Sequence, residues 1–269
     1  MRKRKVITLI LLGVFLAGLS LLLYPSVSSY WNSITQSRAI VDYDTIVKSL
    51  SPKDYTAYFE RAEEYNSELK ALPFPLTEYQ QISGYDDCLN AAGDGVIGYI
   101  DIDKIQVKLP IYHGTDPSML NHACGHIQGS SFPIAGKGTH AAISAHRGLP
   151  SAKLFSDLDK LKVGDYFTIT VLRQTIFYQI DRIDIVEPEE TGLLALDKEK
   201  DYCTLLTCTP YGINTKRLLV RGVRCEVTER AEPIRTGEKT YRRWYAAIGL
   251  NVLVAGMILC WKRKKKRRG

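Results

Sequence analysis

The pattern of apolar and polar positions predicts a membrane-spanning helix near each end of the chain. Residues 6–23 form a run of 18 residues without a charge, which is long enough to cross the hydrocarbon core of a bilayer. A cleaved signal peptide is the alternative, but its apolar region usually has only about 7–15 residues. A second apolar run, residues 244–261, is bracketed by Trp and Tyr, which favour membrane interfaces. We therefore expect transmembrane helices at residues 6–24 and 244–261.

Basic clusters flank both apolar runs on the side of the termini. Residues 2–5 and residues 262–268 contain only Lys and Arg. Because such clusters stay on the cytoplasmic side, both termini are expected in the cytoplasm and residues 25–243 outside the membrane. Eleven of the 36 basic residues lie in these clusters, which leaves 25 basic against 29 acidic residues elsewhere. The net charge of +7 is therefore misleading: the basic ends indicate contacts with membrane lipid, and the rest of the chain, with a net charge of −4, indicates no nucleic-acid partner.

A helical pattern follows the first apolar run and covers residues 38–71. Within it, Ser51 can cap a helix start and Pro52 suits a first helical turn. Apolar and aromatic positions then recur at helical spacing until Pro73. We predict helix over residues 38–71 and an irregular, lid-like segment over residues 72–95.

From Val96 onward the pattern changes to short runs rich in Val, Ile, Thr and Tyr with partial alternation. Seven or eight such runs are present, and one short helix is predicted between Ala152 and Leu161. Many short strands with a single inserted helix favour a closed barrel. The expected fold is mainly β: a closed β-barrel of seven to eight strands with an N-terminal helical extension and a transmembrane helix at each end.

A cysteine and an arginine flank the turn-rich stretch between two of these runs. Cys208 ends one run and Arg217 begins the next, so neighbouring strands would place the two side chains across a gap. A thiol of ordinary pKa, about 8.5, needs a nearby base or cation to act as a nucleophile at neutral pH. His146, at a strand end before a loop, is the candidate proton carrier, and His140 is its rival. A buried structural cysteine is the alternative from residue chemistry alone.

The triplet His122, Cys124 and His126 has the pattern H-x-C-x-H, which is compatible with zinc ligands. No fourth ligand is evident in the sequence, so we expect no metal and no cofactor. The chain has six cysteines, and their spacings show no disulfide framework. A structural hydrogen bond is the expected role of His126.

Three stretches of the chain resemble the sortases, a family of cysteine transpeptidases. Residues 204–222, TLLTCTPYGINTKRLLVRG, resemble the family signature T-L-x-T-C with an arginine at the usual distance. Residues 139–165, THAAISAHRGLPSAKLFSDLDKLKVGD, resemble the sequence around the family's histidine, and residues 114–133, GTDPSMLNHACGHIQGSSFP, resemble the stretch before it. The TPYGINT and RGLPSAKLF runs and the basic C-terminal anchor resemble class C, the pilus-assembling sortases. The resemblance covers about residues 96–228.

The resemblance implies a sortase-type barrel in which Cys208 is the nucleophile, His146 is the general acid/base and Arg217 stabilises the oxyanion or the bound sorting motif. It implies a membrane-anchored enzyme that cleaves a Leu-Pro-x-Thr-Gly-like motif between Thr and Gly through a thioacyl intermediate. A lysine of a pilin would then accept the acyl group, so pilins with such motifs and acceptor lysines are the expected partners. Thr207 and Tyr211, beside the cysteine, are expected to contact the substrate.

Class C sortases often carry an N-terminal lid with an Asp-Pro-aromatic motif over the cysteine. Here Leu72, Pro73 and Phe74 lie near the expected place, but the acid before the proline is missing. Phe74 is therefore the candidate lid residue. A proline-ended loop packed on the barrel is the alternative.

The chain is expected to divide into seven parts. They are a cytoplasmic basic end (1–5), a transmembrane helix (6–24), an N-terminal helical and lid-like region (38–95), a sortase β-barrel catalytic domain (96–228), a linker (229–243), a transmembrane helix (244–261) and a cytoplasmic basic tail (262–269).

Three other functions compete with pilus assembly. A housekeeping-type sortase would attach surface proteins to a cell-wall peptide amine and differs only in its second nucleophile. A hydrolytic cysteine peptidase would release free acid whether or not an amine is present. A non-catalytic membrane-anchored binding protein would tolerate replacement of Cys208.

Overall fold

A computed structural model describes residues 2–226 and shows eight strands preceded by two long helices. Helix α1 spans Arg2–Ser49 and helix α2 spans Pro52–Ala71, and two short helices follow as α3 (Pro75–Glu78) and α4 (Pro117–Leu120). The strands are β1 (Val96–Ile102), β2 (Val107–His113), β3 (Cys124–His126), β4 (Thr139–Ser144), β5 (Tyr166–Val171), β6 (Gln174–Val186), β7 (Asp201–Thr209) and β8 (Lys216–Cys225).

The strands form a closed barrel in the order β1-β2-β3-β4-β7-β8-β6-β5, because β1 pairs with both β2 and β5. The pairs β2–β3 and β4–β7 are parallel, and the remaining pairs are antiparallel. The predicted mainly-β barrel is therefore confirmed, with eight strands. Full closure leaves no open sheet edge.

Alternate residues of β4 and β7 face the barrel interior, as the two-residue period of a strand requires. Ala141 and Ile143 of β4 and Cys203 and Leu205 of β7 belong to the core and are at most 1% exposed. The residues between them face outward. The outer faces of β4 and β7 therefore lie side by side and form one surface.

Helix α2 confirms the predicted start at Ser51, whose side-chain oxygen accepts a hydrogen bond from the Asp54 N–H at 3.2 Å. The predicted apolar positions Ala62, Tyr65 and Leu69 are buried. The helical range predicted over residues 38–71 is confirmed except at residues 50–51, where α1 ends and α2 begins. The first part of that range belongs to α1, which continues without interruption from the apolar run.

Helix α1 has an exposed apolar half and a docked half. Among the described residues, it is the one helix long and apolar enough to cross a membrane, and its apolar window is exposed. Farther along, Tyr43 is 1% exposed and joins two parts of the barrel. Its hydroxyl donates to the Ile97 carbonyl at 2.9 Å and accepts from the Leu172 N–H at 2.7 Å. Between the two halves, Asn32 donates to the Ser151 carbonyl at 2.9 Å.

The helix predicted between Ala152 and Leu161 is wrong. This stretch consists of turns that end in a short 3₁₀ helix, Leu158–Lys160. Ala152, Phe155, Leu158 and Leu161 are buried, so their apolar spacing reflects packing beneath the loop. The predicted linker, second transmembrane helix and basic tail (229–243, 244–261 and 262–269) lie outside the described residues.

Candidate active site

Cys208 and Arg217 occupy directly paired positions on β7 and β8. Cys208 follows the core residues Cys203 and Leu205 at a spacing that turns it to the outer face of β7. Both Cys208 and Arg217 are half-buried. The thiol is therefore on the outer side of the barrel, at the strand position paired with Arg217.

His146 reaches the same level through the parallel pair β4–β7. Ser144 pairs with Leu206, and the Ala145 N–H continues the ladder by donating to the Leu206 carbonyl at 3.2 Å. Two residues beyond that pair lie His146 and Cys208, on strands that neighbour each other at about 4.8 Å. The structure thus brings the half-buried His146 to the end of β4 beside Cys208. Cys208 lies near the end of β7, Arg217 near the start of β8, and His146 two residues after the end of β4.

Arg147 links the two segments that follow His146 and Cys208. Its guanidinium Nη1 donates to Thr209 Oγ1 at 3.1 Å, and its Nη2 contacts Asp159 Oδ2 at 2.5 Å. The Arg147 side chain is only 7% exposed. The sequence motif contains Arg147, but nothing in its pattern separated this residue from a solvated loop arginine.

Thr207 and Tyr211 differ in their access to a substrate. Thr207 is 1% exposed, and its hydroxyl donates to the Ala145 carbonyl at 2.7 Å. This places Thr207 inside the barrel wall, where it holds β7 to the end of β4, so the expected direct contact with substrate does not fit its position. Tyr211 is 60% exposed, and its ring lies over the Arg147 guanidinium at 5.9 Å.

The rival histidine His140 lies six residues before His146, about 20 Å along the strand. Its Nδ1 is hydrogen-bonded to the Ala195 carbonyl oxygen at 2.9 Å, and its Nε2 is hydrogen-bonded to Thr204 Oγ1 at 2.7 Å. Burial lowers the pKa of His140 below its ordinary value. His140 is therefore a neutral, hydrogen-bonded part of the opposite end of the outer face.

Residues 72–79, here called the strap, cover that opposite end. A cavity of about 650 Å³ lies between the strap, His140 and residues 191–198, and its lining includes Phe74. Cys208, His146 and Arg217 do not line this cavity. The strap rests on Gly129, where an added Cβ would lie 2.7 Å from the Pro75 carbonyl oxygen. Phe74 itself is 68% exposed.

The H-x-C-x-H triplet is a structural element. His126 is fully buried, with its Nε2 2.9 Å from the Ser131 carbonyl oxygen and its Nδ1 2.9 Å from the Tyr85 hydroxyl. Because a carbonyl only accepts, the proton lies on Nε2 and Tyr85 donates to Nδ1. The predicted structural hydrogen bond of His126 is confirmed. Within residues 2–226, no group of three His, Cys, Asp or Glu side chains could hold a metal ion.

The other thiols in the described part of the chain differ from Cys208 in their surroundings. All five cysteines between residues 2 and 226 are free. Burial raises the pKa of Cys88 to about 12 and raises the pKa values of Cys124 and Cys203 strongly. Burial also raises the pKa of the half-buried Cys225. The three buried thiols, Cys88, Cys124 and Cys203, are therefore kept protonated.

Comparisons with known proteins agree with this architecture. Residues 100–225 match the model of the sortase domain. Sortase D of Bacillus subtilis (strain 168) is 30% identical over 130 residues, which are 47% of this chain and 63%, just under two thirds, of that protein. Among solved structures, sortase C1 of Streptococcus agalactiae is 48% identical with a TM-score of 0.67, over 71% of this chain and all of that one.

A second solved structure, sortase C of Clostridium perfringens with the C-terminal cell wall sorting motif, is 39% identical. It has a TM-score of 0.61 and covers 71% of this chain and 100% of that chain. The barrel with a thiol on its outer face and these matches define an enzyme of the cysteine transpeptidase class. The chain belongs to the sortase family.

Proposed function

We propose that this chain is a class C sortase that joins pilin subunits at the outer surface of a membrane. The observation that supports the proposal is the strand register: Cys208 is paired with Arg217, and the parallel β4–β7 ladder ends two residues before His146 and Cys208. The class C assignment is supported by the likeness to solved sortase C structures over about 71% of the chain.

The reaction begins at the Cys208 sulfur. The thiolate attacks the Thr carbonyl of a Leu-Pro-x-Thr-Gly-like motif, and the tetrahedral oxyanion is stabilised by the Arg217 guanidinium. The C–N bond to glycine breaks, and His146 gives its proton to the leaving amine. A thioester between Cys208 and the Thr carbonyl remains.

The second half of the reaction consumes this thioester. A lysine amine of another pilin attacks the carbonyl while His146 takes up a proton from it, and the Cys208 thiolate leaves. An isopeptide bond forms and the enzyme returns to its initial state. The solved sortase C with a sorting motif supports an acyl donor of this kind, since it is a structural relative of this chain.

Membrane anchoring is the second part of the proposal. The apolar residues of the first half of α1 would lie in the bilayer, with residues 2–5 at cytoplasmic lipid headgroups. The barrel would then be extracytoplasmic, and substrates held at the same surface would meet it at raised effective concentration. Protease added to intact protoplasts should digest the barrel and spare the N-terminus.

We propose that the strap restricts the access of a peptide to the outer face of β4 and β7. Phe74 and its neighbours line the cavity at the His140 end of the outer face, about 20 Å from His146. In this position the strap would limit entry of an extended peptide along the face, and would not plug the thiol directly. Release of the strap is therefore expected to raise the rate of acylation.

One experiment tests the main proposal. The full chain in detergent is incubated with a pilin that carries the motif and with either a second pilin or a cell-wall peptide amine. Ladders that require a pilin lysine support class C activity, whereas products formed only with the wall peptide indicate a housekeeping-type sortase. Free acid at an amine-independent rate indicates a peptidase. If Cys208→Ala keeps full activity, every function that uses Cys208 as a nucleophile is excluded.

A further inference from the structure

We propose that Arg147 is a positioning residue that fixes the spacing of His146 and Cys208. The inference rests on the catalytic roles proposed above. Arg147 lies next to the proposed acid/base His146 in the chain, but its guanidinium contacts Thr209 and Asp159. Arg147 acts by holding the loop that contains His146 to the end of β7, which carries Cys208.

The contacts of Arg147 join three segments. Nη1 donates to Thr209 Oγ1 at 3.1 Å, one residue after Cys208, and Nη2 contacts Asp159 on the 3₁₀ helix at 2.5 Å. The turn that precedes this 3₁₀ helix is tied to the histidine, since the Phe155 N–H donates to the His146 carbonyl at 3.1 Å. A shift of either strand end would break one of these hydrogen bonds.

Tyr211 lies on the solvent side of this arrangement, next to Arg147 and Gly148. The Tyr211 ring centre lies 5.9 Å from the Arg147 guanidinium carbon. A Cβ added to Gly148 would lie 3.4 Å from the Tyr211 ring, so the loop after His146 and the loop after Cys208 are in contact. Tyr211 thereby shields the Arg147 clamp from solvent while remaining 60% exposed itself.

Stability does not explain this arrangement. The Arg147 side chain is 7% exposed, and its Nε–H is buried without a hydrogen-bond partner among the described residues. A buried donor without a partner is costly, and well-packed apolar side chains often replace buried ion pairs without loss of stability. Asp159 is 48% exposed and would be hydrated if its partner were removed. A charged clamp at this place is therefore better explained by geometry at the site.

The test compares Arg147→Met and Arg147→Lys with the wild type, each as the full chain in detergent. For Arg147→Met we expect kcat to fall by about 10- to 100-fold with KM within about threefold, because small misplacements of reacting groups are costly. Arg147→Lys keeps the charge without the planar fork, and an intermediate kcat is expected. The rate and pH profile of Cys208 alkylation by iodoacetamide should change in both variants.

A matched control is Arg173→Met. Arg173 donates to the carbonyls of Val47, Lys48 and Leu50 and lies over Tyr55 at 5.5 Å, so it is also an arginine clamp, but it is remote from the site. Its loss should change the thermal midpoint and leave kcat per folded molecule and Cys208 alkylation unchanged.

Two results would overturn the inference. A folded Arg147→Met with kcat within twofold of wild type excludes a positioning role, and a raised KM at unchanged kcat assigns Arg147 to substrate binding. If Arg147→Met does not fold, Arg147→Lys decides by the same criteria. If the proposed function is wrong, Cys208→Ala will be as active as the wild type. Alkylation of Cys208 in the Arg147 variants still reports on the positioning role of Arg147 in that case.

Discussion

Cys208 and Arg217 face each other across the antiparallel pair β7–β8, one pair before the two strands end. The guanidinium of Arg217 is held by the turn, since Nη1 donates to the carbonyls of Lys216 at 3.1 Å and Asn214 at 3.3 Å. Side chains on directly paired positions have Cβ atoms about 5 Å apart. The strand register therefore fixes the spacing of the two Cβ atoms, and the two carbonyl contacts orient the Arg217 guanidinium.

Replacement of Arg217 should affect catalysis far more than stability. Arg217→Ala removes the proposed oxyanion donor, and kcat/KM should fall about 10²- to 10³-fold. Because Arg217 is half-exposed, the free energy of unfolding should change by only about 0.5 kcal/mol. Steady-state kinetics and chemical denaturation measure the two effects. Arg224→Ala, an exposed arginine on the same strand, is the control, and equal activity of both variants would refute the role.

Among the five cysteines of the described residues, Cys208 should be alkylated first. Burial keeps Cys88, Cys124 and Cys203 protonated and raises the pKa of the half-buried Cys225, and Cys208 lies half-buried on the outer face. Iodoacetamide at pH 7.5, followed by mass spectrometry, gives the order of modification. Cys203→Ala should leave the fast phase intact and Cys208→Ala should remove it. A fast phase that survives Cys208→Ala would contradict the prediction.

Stability should fall as pH decreases below about 6.5. Burial lowers the pKa of His126 to about 4, so the folded chain keeps this ring neutral while the unfolded chain takes up a proton below its ordinary pKa of about 6.5. The loss saturates below pH 4 and amounts to about 3 kcal/mol for this group. Burial lowers the pKa values of His113 and His140 as well, which acts in the same direction.

Urea denaturation between pH 4 and pH 7.5 measures this loss of stability. His126→Gln has no titratable ring, so its free energy of unfolding should depend less on pH in this window. An unchanged slope in the variant would show that His126 is not the source.

Gly129→Ala should release the strap. The added methyl group would meet the Pro75 carbonyl oxygen at 2.7 Å and Leu76 Cα at 2.8 Å, which are backbone atoms and cannot turn away. Acylation by a motif peptide should therefore become faster. Gly84→Ala is a matched control, because Gly84 has φ +80°, close to the +82° of Gly129, but open space around its Cβ position. Protease sensitivity at residues 72–79 should rise only in Gly129→Ala, and a rate equal in both variants would argue against a restricting strap.

The local parts of the fold were the predictable ones. The cap at Ser51, the buried positions Ala62 and Leu69 and the β-rich runs after Val96 depend on near neighbours in the chain, and the structure confirms them. The turn-rich stretch after Cys208 also gave the correct strand pairing with Arg217.

Features that depend on distant contacts could not be predicted in this way. The apolar spacing between Ala152 and Leu161 imitates a helix, but those side chains are buried by barrel packing in a chain of turns. Arg147 was overlooked because its burial results from Thr209 and Asp159, which lie 62 and 12 residues away. Thr207 shares the inward face of Cys203 and Leu205, and the partner of its buried hydroxyl, the Ala145 carbonyl, is supplied only by the parallel pairing of β4 and β7.

In the membrane-anchored state proposed above, helix α1 would set the distance between the Cys208 thiol and the lipid. It runs unbroken from the apolar run to Asn32, whose side-chain amide binds the Ser151 carbonyl in the loop that follows His146. Eight residues of helix separate Tyr24 from Asn32, a rise of about 12 Å. A helix of this kind acts as a spacer of fixed length, so an anchored enzyme would process polypeptides whose cleavable bond emerges just above the headgroups and would pass over bonds held farther out.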